Sequence, residues 1–119
     1  MNQQRATSAR SASSQRGRVL EIQPHPDGPN APCRYHVNPG RHEVEHGEPV
    51  TWSNPPTDLV LLFPDKDLFG TREIDVPEGR SVTLEVSQRA RKGEHPYAVY
   101  CKDSNDFAEG NSYPVMIVR

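Results

Sequence analysis

Two cysteines, Cys33 and Cys101, and five histidines, His25, His36, His42, His46 and His95, carry most of the chemical capacity of this chain. Cys101 closes the run Tyr97-Ala98-Val99-Tyr100-Cys101, so it presents a thiol at the end of a strand. A strand-end thiolate becomes a redox copper ligand when two imidazoles stand close to it. Residues 102–119 contain no histidine, and neither do residues 47–94. His95 lies upstream on the same run. At ~3.3 Å per residue it sits roughly 20 Å from Cys101, too far to share a metal, and it reads as a turn residue.

His42-Glu43-Val44-Glu45-His46 matches the His-Glu-x-x-His pattern of zinc proteases. That chemistry needs a helix, which puts both imidazoles on one face and the Glu within reach of the metal-bound water. Pro39-Gly40 before the motif and Gly47-Glu48-Pro49 after it leave too little room for one. Read as a strand, the segment places His42, Val44 and His46 on one face and Glu43 and Glu45 on the other. Asp58, Asp65, Asp67, Asp103, Asp106 and Glu109 sit in loop-like stretches. A calcium loop wants oxygen ligands at alternate positions. Asp103, Asn105 and Phe107 fail that test at the third ligand, so these acids read as solvated. No nucleophile–base pair and no carboxylate dyad is visible, which argues against an enzyme.

The elements that would position these residues are short. Twelve prolines and eight glycines interrupt brief apolar or alternating runs. Long helices are excluded, and with them a doubly wound α/β architecture. Strands are expected over residues 19–22, 34–37, 42–45, 50–53, 59–63, 73–76, 81–86, 97–101 and 113–118, with at most one helical turn in residues 65–70. Trp52, Leu84, Tyr97, Val99 and Ile117 are the expected core. The fold class is an all-β Greek-key β-sandwich of about seven to nine short strands with no long helix.

Residues 1–18 are rich in Ser, Gln, Ala and Arg and hold no aromatic or acidic residue. Such a segment cannot bury enough apolar surface to offset its ordering entropy, so it reads as a disordered tail ahead of a domain over residues 19–119. Its four arginines carry +4; against a whole-chain charge of −2, that leaves −6 on the domain. An acidic domain makes nucleic acid an unlikely partner. No run of about 18 apolar residues exists, which argues against a membrane span. No apolar signal-peptide core follows Met1, so the chain as written reads as cytoplasmic, and as periplasmic or secreted if trimmed.

Three segments, taken in order, resemble the cupredoxin family. Val44-Glu45-His46-Gly47-Glu48-Pro49-Val50-Thr51-Trp52-Ser53-Asn54 is similar to the family's Gly-(Asp/Glu)-x-Val-x-(Trp/Phe)-x-Asn strand. Val76-Pro77-Glu78-Gly79-Arg80-Ser81-Val82-Thr83-Leu84 is similar to its Gly-x-Ser turn into a strand. Gly93-Glu94-His95-Pro96-Tyr97-Ala98-Val99-Tyr100-Cys101 is similar to its approach to the thiolate ligand. The resemblance spans residues 19–119 and implies a Greek-key sandwich with copper between the loops at one end. It departs from the family at the copper. Pro55, Pro56, Thr57, Asp58 and Leu59 stand where the first His ligand would follow Asn54. Lys102, Asp103, Ser104, Asn105 and Asp106 stand where the second would follow Cys101. Met116, the only candidate for a weak axial ligand, lies inside the last strand.

What the resemblance implies is then a cupredoxin-like recognition module with no type-1 copper and no cofactor. It would bind another protein through the loops at the former copper end, where Asp58, Phe63, Phe69, Asp103, Phe107 and Tyr113 are the candidate contacts. The phenylalanines have a second use, filling the space a metal site would occupy, and that use is favoured. The alternative is a copper-binding redox or metal-handling protein with an atypical site on Cys101. Under this resemblance Cys33 and Cys101 share the former copper end, and three outcomes stay open: a disulfide, a soft-metal site with His36 or His25, or two unrelated buried thiols.

Overall fold

Alternation decides which residues face inward. In the computed structural model, which describes residues 18–28, 33–109 and 113–119, the chain forms eleven short strands and no helix among those residues. They are β1 (Arg18–Pro24), β2 (Tyr35–Asn38), β3 (Arg41–Val44), β4 (Pro49–Ser53), β5 (Leu59–Leu62), β6 (Glu73–Val76), β7 (Val82–Glu85), β8 (Gly93–Pro96), β9 (Ala98–Cys101), β10 (Asp106–Phe107) and β11 (Val115–Val118). Three sheets result, in the orders β2-β1-β4-β7, β10-β9-β5-β6 and β3-β11-β8. β1 runs parallel to β4, and β3 parallel to β11; the other pairs are antiparallel. Strands distant in sequence are thus neighbours, as the expected sandwich requires.

The period-2 pattern sends Leu20 and Ile22, Val50 and Trp52, Leu59 and Leu61, Val99 and Cys101, and Met116 and Val118 into the core. At its centre Trp52 meets Phe63 and Tyr97, each with ring centroids 5.9 Å apart. Phe69 packs on Phe63 at 5.0 Å. Full burial of such side chains stabilises by ~1.5–3 kcal/mol each, which makes this cluster the anchor of the sandwich.

Two of the resembling motifs meet in space. The Asn54 amide donates to Ser81 Oγ at 3.1 Å, and the Gly79 amide donates to the Pro55 carbonyl at 2.9 Å. Gly79 has φ +75°, a conformation in which a side chain would be strained. These bonds lock the end of β4 to the start of β7.

Several expectations are corrected. Strands number eleven, two beyond the nine expected: the run into Cys101 divides at Tyr97 into β8, which pairs with β11, and β9, which pairs with β5, the Tyr97 amide donating instead to the Pro114 carbonyl at 3.0 Å, and residues 106–107 add β10. His95 is therefore a buried strand residue rather than a turn residue. Ile117 and Leu84 are only half-buried, while Met116 takes the inward position of β11. The tail assigned to residues 1–18 lies outside the described residues except for Arg18, which opens β1 and donates from Nε to the Glu43 carbonyl. In residues 65–70 a single turn is present, with the Gly70 amide donating to the Lys66 carbonyl at 2.8 Å. No helix among the described residues is long and apolar enough to cross a membrane.

Candidate functional site

Strand β9 carries Cys101 to one end of the sandwich, and the next residues decide what surrounds it. Lys102 to Asn105 form a tight turn, with Asn105 at φ +52°, a conformation Asn tolerates well. The chain then doubles back as β10, pairing Phe107 with Tyr100 and Asp106 with Cys101. The residues after the cysteine are spent on a hairpin, not on a loop that projects ligands.

The space beside Cys101 is filled and hydrogen-bonded. Cys33, Cys101, Thr57, Tyr35 and Ala108 are all buried there. The Tyr35 hydroxyl donates to Asp103 Oδ2 at 2.7 Å, and the Asp103 amide donates to Thr57 Oγ1 at 3.2 Å. The Lys102 amide donates to the Asp58 carbonyl, and Asp58 Oδ1 accepts the Glu78 amide at 2.8 Å. Two of the expected partner-contact residues, Asp58 and Asp103, thus hold the end of the sandwich together.

Both cysteines are free thiols. Burial pushes the Cys101 thiol up to about 12, reinforced by the Asp103 and Asp106 carboxylates and by Cys33. Burial likewise raises Cys33, whose Sγ donates to the Tyr35 carbonyl at 3.4 Å. These surroundings favour the neutral thiol when no metal is bound. His25 and His36 lie together, ring centroids 5.8 Å apart, beside Glu109. Glu109 itself is committed to the backbone: its amide donates to the Tyr35 carbonyl and its Oε2 accepts the Val37 amide. Among the described residues no three His, Cys, Asp or Glu side chains are gathered as a metal-binding set. Among the described residues, those around Cys101 do not gather a thiolate with two imidazoles. Met116 lies in register between His42 and His95 across the β3-β11-β8 sheet. His95 is engaged: its Nε2 donates to the Arg91 carbonyl at 2.6 Å and its Nδ1 faces Asp65 Oδ2 at 3.5 Å. Asp65 is thus remote from the acids around Cys101.

The expected aromatic contacts separate. Phe63 is only 1% exposed, so it packs in the core instead of presenting itself to a partner. Phe69 is half-buried against Phe63 and Trp52. Phe107 and Tyr113 are different. They lie edge to face, centroids 6.5 Å apart, with Tyr100 against Phe107 at 5.4 Å. Tyr113 is 51% exposed. Together with Leu62 and Ala98 they line a hollow of about 450 Å³ on the outer side of β9 and β5. Sequence reasoning named Phe107 and Tyr113 but missed the hollow. The outward positions of an apolar run such as Val60 and Leu62 were the available signal, since a solvated sheet face alternates with polar residues.

No family model matches the chain, and no curated protein matches it. Solved structures do. A novel purple cupredoxin from Nitrosopumilus maritimus aligns over 86% of this chain and 99% of its own, with TM-score 0.52 and 14% identity. The oxidized form of plastocyanin from Dryopteris crassirhizoma aligns over 85% of this chain and 99% of its own, with TM-score 0.54 and 17% identity. A native pseudoazurin from Hyphomicrobium denitrificans aligns over 86% of this chain and 74% of its own, with TM-score 0.51 and 13% identity. At such identities the likeness concerns the fold, and it agrees with the strand order and the linked motifs described above: the protein is a cupredoxin-like β-sandwich.

Proposed function

We propose that this domain is a non-enzymatic recognition module that uses a cupredoxin-like sandwich without a type-1 copper site. The observation that carries the reading is the filled end around Cys101. There Tyr35, Asp103 and Thr57 are hydrogen-bonded to one another, and the chain after Cys101 turns straight back into β10. A side chain used this way serves stability, whereas Tyr113 is exposed beside the half-buried Phe107 and has no comparable structural use. The partner is another protein, met through the face that carries Phe107 and Tyr113.

The reading is tested with three immobilised proteins: the wild type, Cys101→Ser, and the Phe107→Ala/Tyr113→Ala double variant. Each is incubated with an extract of the cells that make the protein. Recognition predicts a common set of proteins retained by the first two and lost by the third. Copper retained by the wild type and lost only from Cys101→Ser would favour the metal-handling alternative instead.

A further inference from the structure

The hollow bounded by Phe107 and Tyr113 does not end at its own rim. A second hollow of about 460 Å³ adjoins it, and both include Phe63, Pro64 and Pro96 in their walls. The two lie on either side of these residues, where the chain passes from β8 to β9 and changes sheet, and together are termed the trough. Such a shape suits an elongated occupant better than a compact small molecule. One half is apolar and aromatic, walled by Leu62, Ala98, Phe107 and Tyr113. The other carries Asp65, Leu68, Arg91, Glu94 and His95.

The charges that line the trough are unequally committed. Asp65 faces His95 and Arg91, and Glu94 is bonded to Arg41. Arg72 lines the apolar half, is exposed, and has no ion pair among the described residues. Arg91 approaches Asp65 only at 3.8 Å, and its side chain is 84% exposed. The apolar half therefore offers the guanidinium of Arg72, whereas Arg91 is shared with Asp65 and Glu94 is held by Arg41. Guanidinium groups match carboxylates in geometry as well as charge.

We infer that the trough binds an extended acidic peptide segment of a partner protein. An aromatic or branched aliphatic side chain packs against Phe107 and Tyr113, and an Asp or Glu residue beside it meets Arg72. The inference rests on the recognition reading above and names the chemistry of its partner.

The test uses three acetylated, amidated pentapeptides, Glu-Glu-Trp-Glu-Glu, Lys-Lys-Trp-Lys-Lys and Glu-Glu-Ala-Glu-Glu. They are titrated into the isotopically labelled full chain, with backbone amide shifts as the readout. The expected result is saturable movement of the amides around Leu62, Ala98, Phe107 and Tyr113 with the first peptide alone. Arg72→Glu, a change at an exposed side chain, weakens that binding by about tenfold. Tyr113→Ala weakens it as well. Raising salt weakens the first peptide's binding. Equal binding of the lysine and glutamate peptides would overturn the acidic assignment while leaving the recognition reading in place. No movement with any peptide would also overturn it; the immobilised-protein comparison then judges the recognition reading separately. Concentration-dependent movement of the same amides without peptide would overturn it in favour of a second copy of this chain as the occupant.

Discussion

Alternate residues of β9 lead to two different regions. Val99 and Cys101 point inward, to an end closed by the Tyr35–Asp103–Thr57 hydrogen bonds. Ala98 and Tyr100 point outward, beside the aromatic trough. The inward side carries the Cys101 thiol, and its residues are spent on packing and hydrogen bonds. The outward side keeps exposed aromatic surface at Tyr113 and an arginine, Arg72, with no ion pair among the described residues. The difference teaches that alternate residues of one strand can serve two ends, internal packing on one face and, under the proposed function, contact with a partner on the other.

The comparison can be broken most severely at the floor common to both. Phe63 touches the core and lines the trough, and Phe63→Ala should cost ~3–5 kcal/mol, read by urea unfolding. A loss under ~1 kcal/mol would mean that the aromatic cluster does not anchor the sandwich.

Acid comes next. His42 is 7% exposed, neither ring nitrogen has a well-formed hydrogen bond among the described residues, and burial, aided by Arg18 and only weakly opposed by the Pro39 backbone, lowers its pKa from 6.5 to about 4. The unfolded chain therefore takes up a proton that the folded one refuses. Stability is full above about pH 6.5 and falls as pH drops toward about 4, by at most ~3 kcal/mol from this group. His42→Leu should flatten that part of the profile in denaturation measured across this range. An unchanged slope would place the sensitivity elsewhere.

At the closed end, Tyr35→Phe removes the bond to Asp103 and should cost about 1 kcal/mol, because the half-exposed carboxylate regains water. Its effect on peptide binding should be nil, which sharpens the separation of the two regions. In the trough, Tyr113→Ala should change stability by less than ~0.5 kcal/mol, since its ring is half in solvent. A larger loss would make Tyr113 part of the core and weaken the case for a docking face.

The alternation of Val50, Trp52, Leu59, Leu61 and Val99 was legible in the sequence because burial on one face of a strand leaves a period of two. So were the punctuation by Gly and Pro and the lack of long helices. β8 and β10 were not legible. Gly93-Glu94-His95-Pro96 has little intrinsic strand preference and is extended because β11 pairs with it. β10 exists because the Asn105 turn returns the chain onto β9. The trough was invisible for a related reason. Leu62, Arg72, Pro96, Phe107 and Tyr113 are scattered along the chain; the pairing of β5, β9 and β10 and the switch of sheet at Tyr97 bring them together.

The most direct test of the closed end is a titration of the reduced protein with Cu(I) and Cu(II), followed by visible absorption and bound-metal analysis. The account predicts no stoichiometric uptake that depends on Cys101 and no thiolate-to-copper band. Tight binding of one copper per chain with such a band, abolished in Cys101→Ser, would contradict it.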